Sequence, residues 1–453
     1  MDGYKKNLPL LLILLLVVLL TWYDGISRAL NNGMVDFNIL YVGSDLFVKG
    51  ENPYFSGYLQ TYLGPDVKNS LGVQITLPGA FALMAPLTML DHVSASFVWL
   101  VLNLASMVAS VLLLLKITGL RYNSTHGLLL IASCLMLGSF RMGIRQGQLD
   151  NMILLFCLLA VTLLQRGGAQ RLTSAVLLGV AVALKPTSTG LICIYLLMRG
   201  KISVALASLL ISGAIIGVSL LLLTLRVPGW SDEYLQILNS TENNFNKVNA
   251  LNPRLELLTH LPAGLFSVLK SGFWASLVSF AICLPILLRT LLSGPSVVIE
   301  DTRETFLREL SIIALVSLLI VYHRFYSGVF LVFPVAWAVY CISKREPSLS
   351  AWLILSLPVL SIVNGQAAYS FLIENEVIGI FNGTSWFEQT VLRFHFVWIQ
   401  LAALILLFLI QIKNTEPSFA PVKDAFKSAG RVLSAVAGHR GDSGYGGGQL
   451  DKP

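Results

Sequence analysis

The chain has 453 residues, of which 55% are hydrophobic and only 12% charged, with a formal net charge of +7. Soluble domains carry about twice that charged fraction, and apolar runs long enough to enter a bilayer recur from residue 8 to residue 412. These features exclude a soluble enzyme, and the runs are continuous rather than alternating, which excludes a β-barrel.

In chain order, MDGYKKNLPLLLILLLVVLLTWYDG places Lys5 and Lys6 ahead of an apolar run that ends without a small-residue cleavage site, so it reads as a retained first helix with its N-terminus inside. Residues 24–74 follow as a first outer loop. Phe37, Ile39, Leu40, Leu46, Phe47, Tyr54 and Phe55 make it too apolar for a free linker, and it is expected to form short helices on the membrane surface. ITLPGAFALMAPLTML (75–90) carries Pro78 and Pro86, which predicts a broken or re-entrant piece. Further spans are expected near 96–116, 127–140, 151–165, 172–184, 188–199, 202–225, 273–293, 310–322, 328–343, 350–363 and 395–412. The break at Lys185-Pro186 is read as separating two helices, because one long helix would put the basic clusters RGGAQR (166–171) and RGK (199–201) on opposite sides. KRE (344–346) and the tail from Lys413 are then also inside, and the loops 226–272 and 364–394 outside. The expected fold is an all-α polytopic bundle of about 12 spans. It occupies 1–412, followed by a cytoplasmic tail, 413–453, whose glycine-rich end reads as disordered.

The five cysteines form no CxxC pair and the six histidines no metal-ligand spacing. No Walker loop is present, and the positive charge fits inside loops facing anionic lipid, giving no reason to invoke nucleic acid. The polar residues expected at the outer face are more informative: Asp36 and Asp45, RMGIRQGQLDN (141–151), Lys185, the Asn-rich segment 239–256 and YHRFYSG (322–328). Ionisable groups at a membrane edge are costly and tend to gather in a cavity, although a lone cation at a helix end, such as Arg141 or Lys185, is also what an interfacial anchor looks like.

The order of several short motifs resembles that of glycosyltransferase family 87, polyprenol-phosphate-mannose-dependent mannosyltransferases of the GT-C superfold. A first span is followed by Asp36, Tyr41 and GENPY. A proline-bracketed segment ends in APLTML. Then come GQLDN with Gln148 and Asn151, Leu184-Lys185-Pro186, and His323 with Tyr326. The similarity spans roughly 8–412. It departs at the extra acid Asp150 and in the C-terminal tail.

The resemblance implies a GT-C-like bundle and transfer of a sugar, mannose first, from a polyprenyl-phosphate donor to a glycolipid or glycan acceptor. The site would lie on the extracytoplasmic side of the plasma (inner) membrane, among membrane lipids. It implies an Asp in the first outer loop as general base, for which Asp36 fits best and Asp45 second. His323, Arg324, Lys185, Arg141 and Arg145 are the candidates for the donor phosphate, and Gln148, Asn151 or Asp150 for sugar hydroxyls. Carboxylates and phosphate can bind Mg or Mn, but no spacing demands a metal. The competing readings are a lipid or glycan transporter (flippase), which would show broken helices and midplane charges, and a non-catalytic scaffold.

Overall fold

The computed structural model describes residues 2–54, 76–164, 169–246, 260–292, 302–320, 323–344, 348–362, 386–392 and 394–414. The C-terminal tail beyond 414, most of the 364–394 loop, Phe55 and the rest of 55–74, and much of the Asn-rich segment lie outside them. The described chain is all-helical.

α1 (Asp2–Leu20) is not the end of the first helical run. A π-helical turn, Thr21–Ser27, carries it into a last helical stretch, Arg28–Asn32. Asp24 and Arg28 pair one turn apart at 3.2 Å, which supports the continued helix. α2 (Val35–Lys49) closes at Gly50 in the left-handed conformation. Phe37, Ile39, Leu40, Val42, Leu46 and Phe47 are buried along it, and Tyr54 beyond it, so the apolar residues of this region are covered, as anticipated.

α3 (Pro78–Met84) passes into a 3-10 turn at Ala85–Met89, a short broken piece. α4 (His92–Thr118) is capped by Asp91, whose carboxylate accepts from Val93 N and Ser94 N at 3.0 Å. α5 (Thr125–Met136) and α6 (Gly138–Gln146) occupy the span expected near 127–140. They bend by 48° at Leu137. Gly138 N donates to Ser361 O at 2.9 Å, and a Cβ at Gly138 would collide with that carbonyl and with Ile362 O, so the bend forms where two backbones touch.

α7 (Asp150–Leu164), α8 (Ala169–Leu184) and α9 (Pro186–Met198) follow. Lys185 leaves helical geometry between the last two (φ −155°, ψ 82°), as the residue before proline tends to. Proline then opens α9, where its missing N–H costs nothing. Two separate helices therefore meet at Lys185-Pro186, as expected.

α10 (Ile202–Arg226) is followed by α11 (Trp230–Asn246) and α12 (Leu261–Leu269) inside the stretch expected to be a loop. α13 (Gly272–Leu292), α14 (Thr302–Ile320), a 3-10 turn at Phe325–Leu331, α15 (Val332–Lys344), α16 (Leu349–Leu355), α17 (Leu357–Leu360) and α18 (His395–Asn414) complete the bundle.

Six described helices are long and apolar enough to cross a membrane, or seven if the bent pair is one span. Others, including α7, α8 and α9, are apolar but shorter. The chain is thus a multi-pass membrane protein. α14 and α15 run through its centre, with almost every side chain from Leu307 to Leu319 and from Leu331 to Cys341 buried. α1 and α10 lie at the rim and expose Leu12, Leu15, Leu210 and Leu221, as lipid-facing helices do.

Candidate active site

The polar residues singled out in the sequence divide into two groups. The first forms where the start of α2, the turn between α6 and α7, the break between α8 and α9, and the start of the 3-10 turn meet. Asp36 lies in the first turn of α2, where the helix N-terminus favours a carboxylate. Its Oδ2 accepts a hydrogen bond from Gln148 Nε2. Gln148 follows Gly147, which ends α6 at φ 70°. A Cβ at Gly147 would stand 2.6 Å from Phe37 Cβ and 2.7 Å from Met34 Cβ, so only glycine lets α2 rest on this turn. Trp99 of α4 stacks on Phe37 and donates its indole N–H to Gly147 O at 2.8 Å.

Two residues further, Asp150 is fully buried and holds Lys185 Nζ at 2.8 and 2.9 Å. The same ammonium donates to Ser327 Oγ at 2.8 Å and lies 5.0 Å from the centre of the Tyr326 ring. Its N–H donors are therefore engaged. Asp36 is half-buried, and loss of hydration raises its carboxyl above the usual carboxylate range. Arg324, the Gln148 hydrogen bond and Lys185 oppose that rise, while Asp150 adds to it.

His323 is 1% exposed, and neither ring nitrogen has a hydrogen-bond partner of ordinary geometry. Burial, then Lys185, then His260 push its imidazole well below the usual range. The carbonyls of Thr187 and Ser317 pull the other way. The ring is neutral at pH 7 and can offer one N–H and one lone pair. Beside Asp150, Asn151 Nδ2 donates to Asn103 Oδ1 at 3.1 Å. Asn103 Nδ2 and Asn151 Oδ1 are buried without partners.

The second group is placed differently. Arg141 and Arg145 pair with Asp24 at 3.8 and 3.7 Å. Arg141, 2% exposed, also donates to Met136 O at 3.3 Å and to Ile362 O. These contacts tie α6 to the π-helical turn after α1 and to the residues just past α17. Asp45 pairs with Lys49 at 2.6 Å. Nine residues after Asp36 on one helix, it points half a turn away from it.

Sequence reasoning did not single out Ser327, Trp99 or Asn103. Ser327 sits within the YHRFYSG stretch, and Asn103 is a carboxamide inside an apolar run, a signal of the same kind as an intramembrane charge. Among the described residues no three His, Cys, Asp or Glu side chains come together as a metal set. Both oxygens of Asp150 are already held by Lys185, so these residues do not fit a divalent-cation cage.

The family model described as glycosyltransferase family 87 matches residues 78–321, just over half of the 453 residues. The matched stretch contains Gln148, Asp150, Asn151 and Lys185, with Asp36 and His323 on either side of it. No curated protein and no solved structure matches the chain.

Proposed function

We propose, since this chain belongs to glycosyltransferase family 87, that it moves a sugar from a polyprenyl-phosphate donor to a lipid-linked or glycan acceptor. Mannose is the sugar proposed first, in keeping with the GT-C mannosyltransferases it resembles. The reaction is placed at the extracytoplasmic face of the plasma (inner) membrane, in a bundle of about 12 crossings with both termini inside. A site on that face has no access to cytoplasmic nucleotide sugars, and a sugar carried on a lipid phosphate answers that need.

The observation that carries the reading is the hydrogen bond from Gln148 to Asp36, with the charges of Arg324 and Lys185 acting on that carboxylate and Lys185 also acting on the buried imidazole of His323. A hydroxyl of the acceptor attacks the anomeric carbon of the donor sugar. The bond from that carbon to the phosphate oxygen breaks, and the electron pair leaves with the polyprenyl phosphate. Asp36 takes the hydroxyl proton as general base. One carboxylate suffices for a single displacement, which inverts the anomeric centre by the same opposite-face logic as in inverting glycosidases.

Charge growing on the departing phosphate is met by the guanidinium of Arg324, by an N–H of His323 and by the field of Lys185. Asn151 and its neighbour Asn103 offer a donor and an acceptor suited to sugar hydroxyls. Arg141 and Arg145, held by Asp24, are assigned to the frame of the site rather than to the phosphate.

The test is donor dependence with purified protein in nanodiscs. Polyprenyl-phosphate mannose supports transfer to a glycolipid extract, and GDP-mannose without a lipid donor does not. Turnover with the nucleotide sugar alone would overturn both the donor and the sidedness.

A further inference from the structure

The turn between α6 and α7 is clamped along its length. Gly147 N and Gln148 N donate to Ile144 O and Gly143 O at 3.1 and 2.8 Å, closing α6. Trp99 holds Gly147 O at 2.8 Å. Ile153 N donates to Leu149 O at 3.0 Å and opens α7, while Asp150 is held by Lys185. The backbone of Gln148 is therefore fixed on both sides, and α2 is pressed against it with no room even for a Cβ at Gly147. From that fixed point the carboxamide reaches one oxygen of Asp36, 112 residues away in the chain. A side chain launched from a rigid turn has few rotamers to lose when it orients a neighbour.

We propose that Gln148 is the positioning residue of Asp36: it holds Oδ2 and leaves Oδ1 as the oxygen that faces the acceptor hydroxyl. The proposal rests on the reading of Asp36 as the base, and it gives Gln148 a role other than sugar binding. A carboxylate held through one oxygen is restrained in rotation about its terminal bond, which favours one aim of its lone pairs. The amide hydrogen bond also stabilises the ionised form, opposing the loss of hydration around it. The other charged groups acting on Asp36 are Arg324, Lys185 and Asp150. His92 of α4 stands on the adjoining face of α2 and hydrogen-bonds Asn38 at 2.9 Å.

Two measurements separate this proposal from the reading beneath it. The first is infrared titration of the protein in nanodiscs, following the C=O stretch of protonated carboxyls as a difference between the parent and Asp36→Asn. This isolates the ionisation of Asp36 and needs neither donor nor acceptor. Gln148→Met keeps the volume and removes the hydrogen bond. A hydrogen bond to a charged group contributes about 1.5–3 kcal/mol, so the Asp36 midpoint is expected to rise by about one to two pH units. Gln148→Glu places a second carboxylate there and is expected to raise it at least as far, which serves as the readout if the Met variant does not accumulate.

The second measurement is transfer against pH, with polyprenyl-phosphate mannose as donor and a glycolipid extract as acceptor. The acid limb of Gln148→Met is expected to move up with the infrared midpoint, with donor KM unchanged. An unmoved midpoint in both variants overturns the positioning role. So does an unmoved acid limb with a raised donor KM, which assigns Gln148 to the sugar. A moved midpoint together with full transfer by Asp36→Asn overturns the base itself and leaves the Asp36–Gln148 coupling standing.

Discussion

α9 is flanked by a partly buried cation at each end, and the two ends are built differently. At the far end, Arg199 grips Glu309 of α14 with two hydrogen bonds, at 2.5 and 3.1 Å, and donates to Thr290 O at 3.0 Å. Tyr195 adds a third bond to Glu309 at 2.8 Å. None of Arg199, Glu309 or Tyr195 leaves a buried polar atom without a partner. At the near end, about 20 Å away along 13 helical residues, Lys185 is paired just as closely with Asp150. In its neighbourhood, however, the two nitrogens of His323 have no hydrogen-bond partner of ordinary geometry, and one atom each of Asn103 and Asn151 is buried without a partner.

Buried polar groups are nearly always satisfied, because each unmade bond costs about 1–3 kcal/mol. A closed network therefore reads as a structural clasp. A cluster left open in the same bundle reads as a place where a polar ligand completes the bonding. On the function proposed above, the open end is the one expected to hold substrate, and the satisfied end is expected to keep the helices in place around it.

The comparison breaks first, and most severely, at Asp36. Asp36→Asn is expected to lower transfer by at least about 10²-fold, the lower bound for general-base assistance. The same variant is expected to melt at a higher temperature at neutral pH. Burial raises the folded-state proton affinity of Asp36, so its ionised form weakens the fold above that pKa, and a neutral amide removes the penalty. A loss of transfer with a lower melting temperature would make Asp36 part of the clasp machinery instead.

At the closed end the expected effect is on stability alone. Glu309→Ala leaves Arg199 buried without its carboxylate and should cost about 3–5 kcal/mol. The fraction that folds should transfer at the parental rate, and the double replacement Arg199→Met with Glu309→Leu should recover much of the loss. Denaturant or thermal unfolding checks this, and a fall in specific activity would erase the division between the two ends.

Acidification sharpens the contrast further. His260 is pushed down to about 4, first by burial, and His323 lies well below its ordinary value. Both are neutral in the folded protein but bind protons when unfolded below about 6.5. Their contribution to stability is thus present above that pH and is lost as the pH falls from about 6.5 toward 4. His323→Gln should flatten the slope of melting temperature against pH, whereas substitution of Glu309 should shift the curve without removing that slope.

The smallest effect is expected at Asp45. Its pair with Lys49 is a partly exposed pair one turn apart, of the kind that contributes about 0.3–0.5 kcal/mol. Asp45→Asn should leave transfer within about twofold, because a residue half a turn out of phase does not face the reacting atoms. A large loss there, with Asp36→Asn active, would transfer the base to Asp45.

Local features of the sequence determined much of this structure by themselves. Composition dictates a helical membrane protein, since backbone groups in lipid must be satisfied within each segment. Pro186 dictates the break after Lys185, and the apolar residues of 35–54 dictate that this region packs rather than floats. The chemistry-bearing candidates, Asp36, Gln148, Asp150, Lys185 and His323, were also readable as costly polar residues in an apolar chain.

What only tertiary structure decided was which of them meet. Gln148 reaches Asp36 across 112 residues, and Lys185 reaches Asp150 across 35 and Ser327 across 142. In sequence, Arg141, Arg145 and Lys185 were equivalent cations at helix ends. The π-turn after α1 brings Asp24 to the two arginines and pairs them there, away from Lys185 and Asp150. The reason is physical: periodicity and capping are set within a few residues, whereas the partner of a buried charge is set by which helix faces pack together.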